Sequence, residues 1–485
     1  MWRESVAKGS THKRRYSASP RLRVTLSPRP PVTASPRLRV GLLFLLFLLL
    51  PGLALAQSVE KPGEKPRLKE FGSSLKKLKW DPQKNAVTET NSGPSSEDDE
   101  VVKIDTSLVV SEILVLDRQG RPIQGLKESD FLITEEGTPQ QVGHFLLGDN
   151  RSLPRSIVLI IDYSGSQFPY IKNSIEAANV LVDQLGPRDQ MAIVTDDVEL
   201  LVDFTNDKRE LKKKLNKLLE KSYGHGGSFF PFGFGGVRKR FGKSAQYSAL
   251  MATLKEAFDE EDQRPIVIFQ TDGDEAEYLR NSIIVPRVPT DLPPELVARV
   301  QNEVEQRRKL QLSSMTEFSL DDVYSAVEKS RATIYTVIPG TKLLGLTVDQ
   351  QVETLRAKDE IAVQTLISTV GDDTRKMILK QREERSKLMT VQVMRMRAED
   401  SGRVQEALAA VAPLSGGWTE FLEQPTQAQG IYSRILSDIS KRYIVGFYPT
   451  NKERDGKRRK ISFAVKDHPE YTILGRRSYI APGVK

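Results

Sequence analysis

The sequence predicts a doubly wound, mostly parallel α/β sheet. A small β-sandwich-like flank comes from both chain ends, and a helical insertion interrupts the sheet. Three observations carry this. Residues 156–161 form a continuous apolar run, as expected of a parallel strand covered on both faces, and 265–269 and 333–338 read as further buried strands. Helical spacing recurs between these runs, which is the alternation of a doubly wound fold. β-Branched runs then cluster near both ends of the remaining chain, before residue 150 and after residue 441.

The N-terminus reads as an export segment, residues 1–56. Its first 40 residues hold ten Lys and Arg and one acid. The uncharged Leu/Phe run of residues 41–50 follows, then Ala54-Leu55-Ala56. A basic start, a short apolar core and a small-residue end form a signal peptide pattern, with cleavage expected after Ala56. The apolar run is short for a membrane span. The basic stretch repeats the heptapeptide Ala-Ser-Pro-Arg-Leu-Arg-Val at residues 18–24 and 34–40, and a downstream start at Val24 or Val40 is expected. Residues 57–100 are rich in Lys, Glu, Pro, Ser and Asn. They hold too little apolar surface to offset ordering entropy and are expected to form a disordered linker.

Residues 101–150 form the N-terminal β flank, with short strands near 101–110, 112–117, 130–135 and 141–145. This is too small to stand alone. Residues 441–485, with runs at 442–448, 460–465 and 471–474 and a turn at Asp455-Gly456, are expected to pair with it. The α/β domain takes residues 151–340 and resumes at 403–440 with its last strand, near Trp418, and its last helix, 431–440. In its first part, strands at 191–194 and 199–204 and helices at 173–185, 208–221 and 245–258 surround the apolar runs. A further helix is expected at 294–309. The insertion, residues 341–402, shows helical spacing at Val348, Val352 and Leu355 and a charged helical stretch over 376–397. It holds Met377, Met389, Met394 and Met396, four of the eight methionines, for which packing between helices is the expectation.

Function is narrowed by what is missing. The chain has no Cys, which excludes disulfide scaffolds, zinc fingers and cysteine nucleophiles. Its four His, at 12, 144, 225 and 468, are far apart. No nucleophile elbow, phosphate loop or dinucleotide fingerprint is present. The net charge of +8 suggests nucleic acid at first sight. However, residues 1–56 contribute ten basic side chains and one acid, so the rest of the chain carries −1 and the nucleic-acid reading largely falls away.

What remains is a set of oxygen donors beyond strand ends, where ligands bind in open α/β sheets. The run 156–161 leads into Asp162-Tyr163-Ser164-Gly165-Ser166. The run 265–269 leads into Thr271-Asp272-Gly273-Asp274. Gly242-Lys243-Ser244 precedes the helix at 245–258. Carboxylates and hydroxyls without nitrogen or sulfur suit a hard divalent cation. Asp and Ser after a strand also commonly cap a helix, which is the plainer reading of the first loop. The nearby Asp274 and Glu275 read as solvated loop-end carboxylates.

Asp162-x-Ser164-x-Ser166 and Thr271-Asp272-Gly273, each after a buried strand, resemble the von Willebrand factor type A (VWA) domain. Asp117-Arg-x-Gly120-x-Pro122-Ile-x-Gly125-Leu126 with Asp130-Phe131, and Arg442-Tyr443-Ile-Val-Gly446-Phe-Tyr448-Pro449, are similar to the VWFA-related proteins of acidobacterial type. The resemblance implies a metal-ion-dependent adhesion site. Its ligands would be Asp162, Ser164, Ser166, Ser244 and Asp272, with Ser244 where the family usually has Thr. The expected cofactor is Mg²⁺, or Ca²⁺ or Mn²⁺, with a coordination position open for an acidic side chain of a partner protein. The resulting expectation is an exported, non-enzymatic protein-binding module with neither a nucleic-acid partner nor a membrane span after cleavage. A structural envelope module with a vestigial site and a metal-dependent hydrolase are the alternatives. The loop at 224–236, four Phe among glycines, could contact a partner or fold on its own domain.

Overall fold

The computed structural model describes residues 78–81, 86–89, 108–147, 154–224, 245–258 and 264–483. The expected signal segment, most of the linker, nearly all of the Gly/Phe loop and Ser244 lie outside these residues. Within the linker range, β1 (Leu78–Asp81) pairs antiparallel with β2 (Ala86–Glu89).

The flank opens with β3 (Val109–Leu116), β4 (Phe131–Glu135), β5 (Thr138–Gln140) and β6 (Val142–Leu147). The α/β body follows with β7 (Arg155–Ile161), α1 (Phe168–Asp183), β8 (Gln190–Thr195), β9 (Leu200–Thr205), α2 (Lys208–Gly224) and α3 (Gln246–Glu256). It continues through β10 (Arg264–Gln270), α4 (Pro294–Ser313), α5 (Leu320–Lys329) and β11 (Thr333–Pro339). The insertion holds α6 (Val348–Thr369), α7 (Asp372–Leu388) and the start of α8 (Val391–Ser415). β12 (Thr419–Leu422) and α9 (Ala428–Lys441) complete the body. The chain then returns to the flank as β13 (Tyr443–Phe447), β14 (Arg458–Val465), β15 (Thr472–Leu474) and β16 (Ser478–Ile480).

The body's sheet has six strands in the order β12-β11-β10-β7-β8-β9, parallel except for the β8–β9 pair. The chain runs outward from β7 in one direction, then crosses to β10 and continues in the other, so the switch point lies between β7 and β10. β7, β10 and β11 are buried along almost their whole length, which explains their mostly apolar sequence. One core layer lies under α1, α2 and α9. The other lies under α3, α5 and the later turns of α8.

The flank forms two four-stranded antiparallel sheets, β15-β3-β13-β6 and β16-β14-β4-β5. They share one core, with Ile113, Phe131, Tyr443, Phe447 and Ile461 among its buried side chains. Each sheet mixes strands from both ends of the chain. Between the strands expected near 130–135 and 141–145, the structure adds edge strand β5, which contains Pro139. An edge position tolerates proline because the missing N–H faces away from the ladder.

The charged helical stretch expected over 376–397 is two helices. Thr390 breaks it: its hydroxyl donates to Asp291 Oδ1 at 2.6 Å and accepts from Val393 N at 3.3 Å, capping α8. Helix α5 was not anticipated, although Ser319-x-x-Asp322 forms a reciprocal capping box at its start. Met389 and Met394 pack with Leu343, Val352, Leu355 and Ala398 in a small cluster between helices. No helix among the described residues is long and apolar enough to cross a membrane.

Body and flank are joined by buried charge. Arg442, at the end of α9, is 0% exposed. It donates to Asp438 Oδ1 at 2.8 Å and Oδ2 at 3.1 Å, to Gly416 O at 2.8 Å and to Glu112 O at 3.1 Å. Beside it, Arg264 donates to Glu112 Oε1 at 2.8 Å and to Ile439 O at 2.7 Å. Two guanidiniums thus connect β3 of the flank with β10, α9 and the turn before β12.

Candidate metal centre

The two candidate loops leave neighbouring strands at the same level. Ile161 and Gln270 are register partners. Asp162 N then donates to Gln270 O at 3.0 Å, and Thr271 N to Val337 O at 3.1 Å. The ladders therefore hold the backbone up to the first residue of each loop. Asp162 and Thr271 lie side by side, and Thr271 Oγ1 donates to Asp162 Oδ2 at 3.0 Å.

Asp162 is fully buried and well supplied with donors. Ser164 N donates to its Oδ1 at 2.9 Å, and Gln246 Nε2 to its Oδ2 at 3.2 Å. Ser164 and Ser166 follow in a tight turn, in which Gln167 N donates to Ser164 O at 2.9 Å. The turn leads into α1, which has Pro169 in its first turn. It brings the two hydroxyls within 2.9 Å of each other. Ser166 Oγ reaches Asp272 Oδ2 at 2.5 Å. Ser166 is exposed and Asp272 half-buried, so the cluster opens to solvent. Gly273 adopts φ +77°, and a Cβ there would stand 2.6 Å from Leu408 Cδ1. Glycine both permits the turn and lets α8 close under it.

The structure thus brings Asp162, Ser164, Ser166 and Asp272 together, while Ser244 lies outside the described residues. Its successors are in place. Ala245 N donates to Asp196 O at 2.6 Å, and Gln246 touches Asp162. Asp272 is pushed well above the usual carboxylate range, first by burial and then by the charges of Asp162 and Asp274, against hydrogen bonds from Ser166 and Gln167. No basic side chain is among these influences. Two carboxylates crowded against hydroxyls, with no guanidinium or ammonium of the described residues to neutralise them, fit a hard cation as the missing positive charge. Among the described residues, no group of three or more His, Cys, Asp or Glu is arranged to hold a metal; any site here depends on the serine hydroxyls.

Three residues escaped the sequence reading. Gln167 donates from Nε2 to Asp272 Oδ2 at 2.6 Å. Gln246 bridges the loops: besides Asp162, its Oε1 accepts from Glu275 N at 3.0 Å. Glu275 does not solvate a loop end, as the sequence suggested, but is 4% exposed. Its carboxylate accepts from Ser248 N at 2.9 Å and Ser248 Oγ at 2.5 Å. Ser248 lies in the first turn of α3, whose cap residue, Ala245, has no side-chain acceptor. Glu275 therefore caps a neighbouring helix across the site, serving N–H groups that have no intrahelical partner. An uncapped helix start facing an acidic turn is a signal, but it is visible only once the pairing of loops is known.

Burial raises Glu275 from 4.5 to about 7, against the hydrogen bonds from Ser248 and Tyr247 N. A carboxyl group with a raised folded-state value favours folding most below its unfolded value. That contribution is lost as pH rises from about 4.5 through 7. The loss is about 3 kcal/mol for a shift of this size. Glu275→Gln is expected to reduce the fall in urea stability between pH 4 and pH 8 by about this amount relative to the parent chain. Identical pH profiles for the two proteins would refute it.

No family model matches the chain, and no curated protein matches it. Solved structures do. The BatB protein of Bacteroides thetaiotaomicron is 13% identical, with 60% of this chain and 99% of that one covered at a TM-score of 0.27. The vWF domain of the type V pili tip protein Mfa5 from Porphyromonas gingivalis is 12% identical, with 59% and 95% covered at 0.28. The manganese-loaded TRAP protein of Plasmodium vivax is 16% identical, with 43% and 61% covered at 0.20.

Proposed function

We propose that this chain is an exported, VWA-like binding module. Asp162, Ser164, Ser166, Ser244 and Asp272 would hold a Mg²⁺-type cation, and the cation would receive an acidic side chain of a partner protein. The observation that carries this reading is the convergence of two carboxylates and two hydroxyls at the switch point, on a solvent-facing surface, with no basic side chain among the described residues acting on Asp272. A cation there would offset the repulsion between Asp162 and Asp272, and a coordination position left open toward solvent would accept an anionic oxygen of a partner. The export part rests on the signal pattern of residues 1–56.

Asp162→Asn tests the site with little change of shape, since the amide oxygen can still accept from Ser164 N. Calorimetric titration with Mg²⁺ is expected to show binding to the parent chain and an affinity at least about tenfold lower in the variant. Polyglutamate serves as the acidic probe. Its capture is expected in Mg²⁺ buffer and expected to be lost in chelator. Capture that ignores both chelator and Asp162→Asn would sink the cation-bridged mechanism.

A further inference from the structure

Gln167 is 1% exposed. Its amide nitrogen is engaged, donating to Asp272 Oδ2 at 2.6 Å and lying 3.4 Å from Ser166 Oγ. Its carbonyl oxygen, Oε1, is buried and has no hydrogen-bond partner among the described residues. Turning the amide over would not help, because it would set a carbonyl oxygen against the Asp272 carboxylate. The protein therefore keeps a strong acceptor unsatisfied on the same amide that holds a candidate ligand, which is costly unless something else supplies a donor.

Water on a divalent cation is such a donor. Mg²⁺ gives up its water reluctantly and is usually bound through few protein ligands with several waters retained. Ca²⁺ takes six to eight oxygens in a flexible shell. The five candidate ligands leave an octahedral Mg²⁺ one position for water until a partner binds, and Oε1 belongs to an amide touching two of those ligands. We propose that Gln167 is a specificity-determining residue of the site: Nε2 fixes Asp272, and Oε1 accepts a hydrogen bond from a cation-bound water, so that the site favours Mg²⁺ over Ca²⁺. This rests on the cation reading given above. Gln167 is the N-cap residue of α1, but its side chain makes no cap bond to that helix.

The test is Gln167→Met, which keeps the length of the side chain and removes both polar atoms. Mg²⁺ and Ca²⁺ are titrated separately into the full chain by calorimetry, with the cation-free melting temperature as a check on folding. Mg²⁺ affinity is expected to fall by about tenfold or more and Ca²⁺ affinity by less than threefold, with the melting temperature unchanged or raised. Equal losses for both ions would mark Gln167 as merely structural and overturn the proposal, as would unchanged affinity for both. A parent chain that binds neither ion would instead sink the cation reading itself, so the two failures are distinguishable. Should the methionine variant not fold, Gln167→Asn, which shortens the amide by one methylene, is read by the same ratio of affinities.

Discussion

Arg442→Met is expected to destabilise the protein by about 3–5 kcal/mol, seen as a lower urea midpoint. The guanidinium is fully buried, and its main partner, Asp438, is 4% exposed. Removing the cation strands a carboxylate in the interior with Trp418 Nε1, at 2.5 Å, as its remaining side-chain donor. It also strips the donors from Gly416 O and Glu112 O. The cost therefore comes mostly from what is left behind rather than from the value of the ion pair. A second substitution separates the two. Asp438→Leu added to Arg442→Met is expected to recover part of the loss, because the stranded charge is gone while the two carbonyls remain unserved. No recovery would mean that the stranded carboxylate is not the source of the penalty.

The second large effect comes from a backbone contact. A Cβ on Gly417 would lie 1.8 Å from Ile334 O and 2.8 Å from Ile334 C. No rotamer change relieves this, since both atoms belong to the backbone of β11, an interior strand of the sheet. The neighbouring chain is also pinned: Gly417 N donates to Ala412 O at 3.1 Å, and Thr336 N to Trp418 O at 3.2 Å. Gly417→Ala must push β12 away from β11 or unwind the end of α8. It is expected to cost more than about 4 kcal/mol or to prevent folding. Gly371→Ala, where a Cβ meets nothing within 4 Å, is the control and is expected to stay within about 1 kcal/mol. Similar stability for the two variants would refute the packing argument.

The parts of the fold that could be read from sequence are those where one physical rule acts alone. Ile157 to Ile161 are covered on both faces, so composition by itself marks β7. Asp162, Ser164, Ser166 and Asp272 were identifiable because they follow such strands directly and share one chemistry. Tyr443 and its neighbours were recognisable as β13 for the same reason as β7. The residues that support the site were not legible in this way. Gln167 and Gln246 are ordinary helix-start residues until the β7 and β10 loops are placed side by side. Glu275 looks solvated until α3 is seen to lack its own cap. Helix boundaries near Thr390 depended on Asp291, about a hundred residues away, and no local pattern encodes such a partner.

The flank's construction from both sides of the body has a mechanical consequence. β3 pairs antiparallel with β13 and β15, and β4 pairs with β14. Tension applied between residue 108 and residue 483 would enter through β3 and leave through strands of the same two sheets. The load path closes within the flank, and residues 155–441 hang from it as a side loop. Strain in the flank would pass to the body first through the bonds of Arg264 and Arg442 to Glu112 of β3.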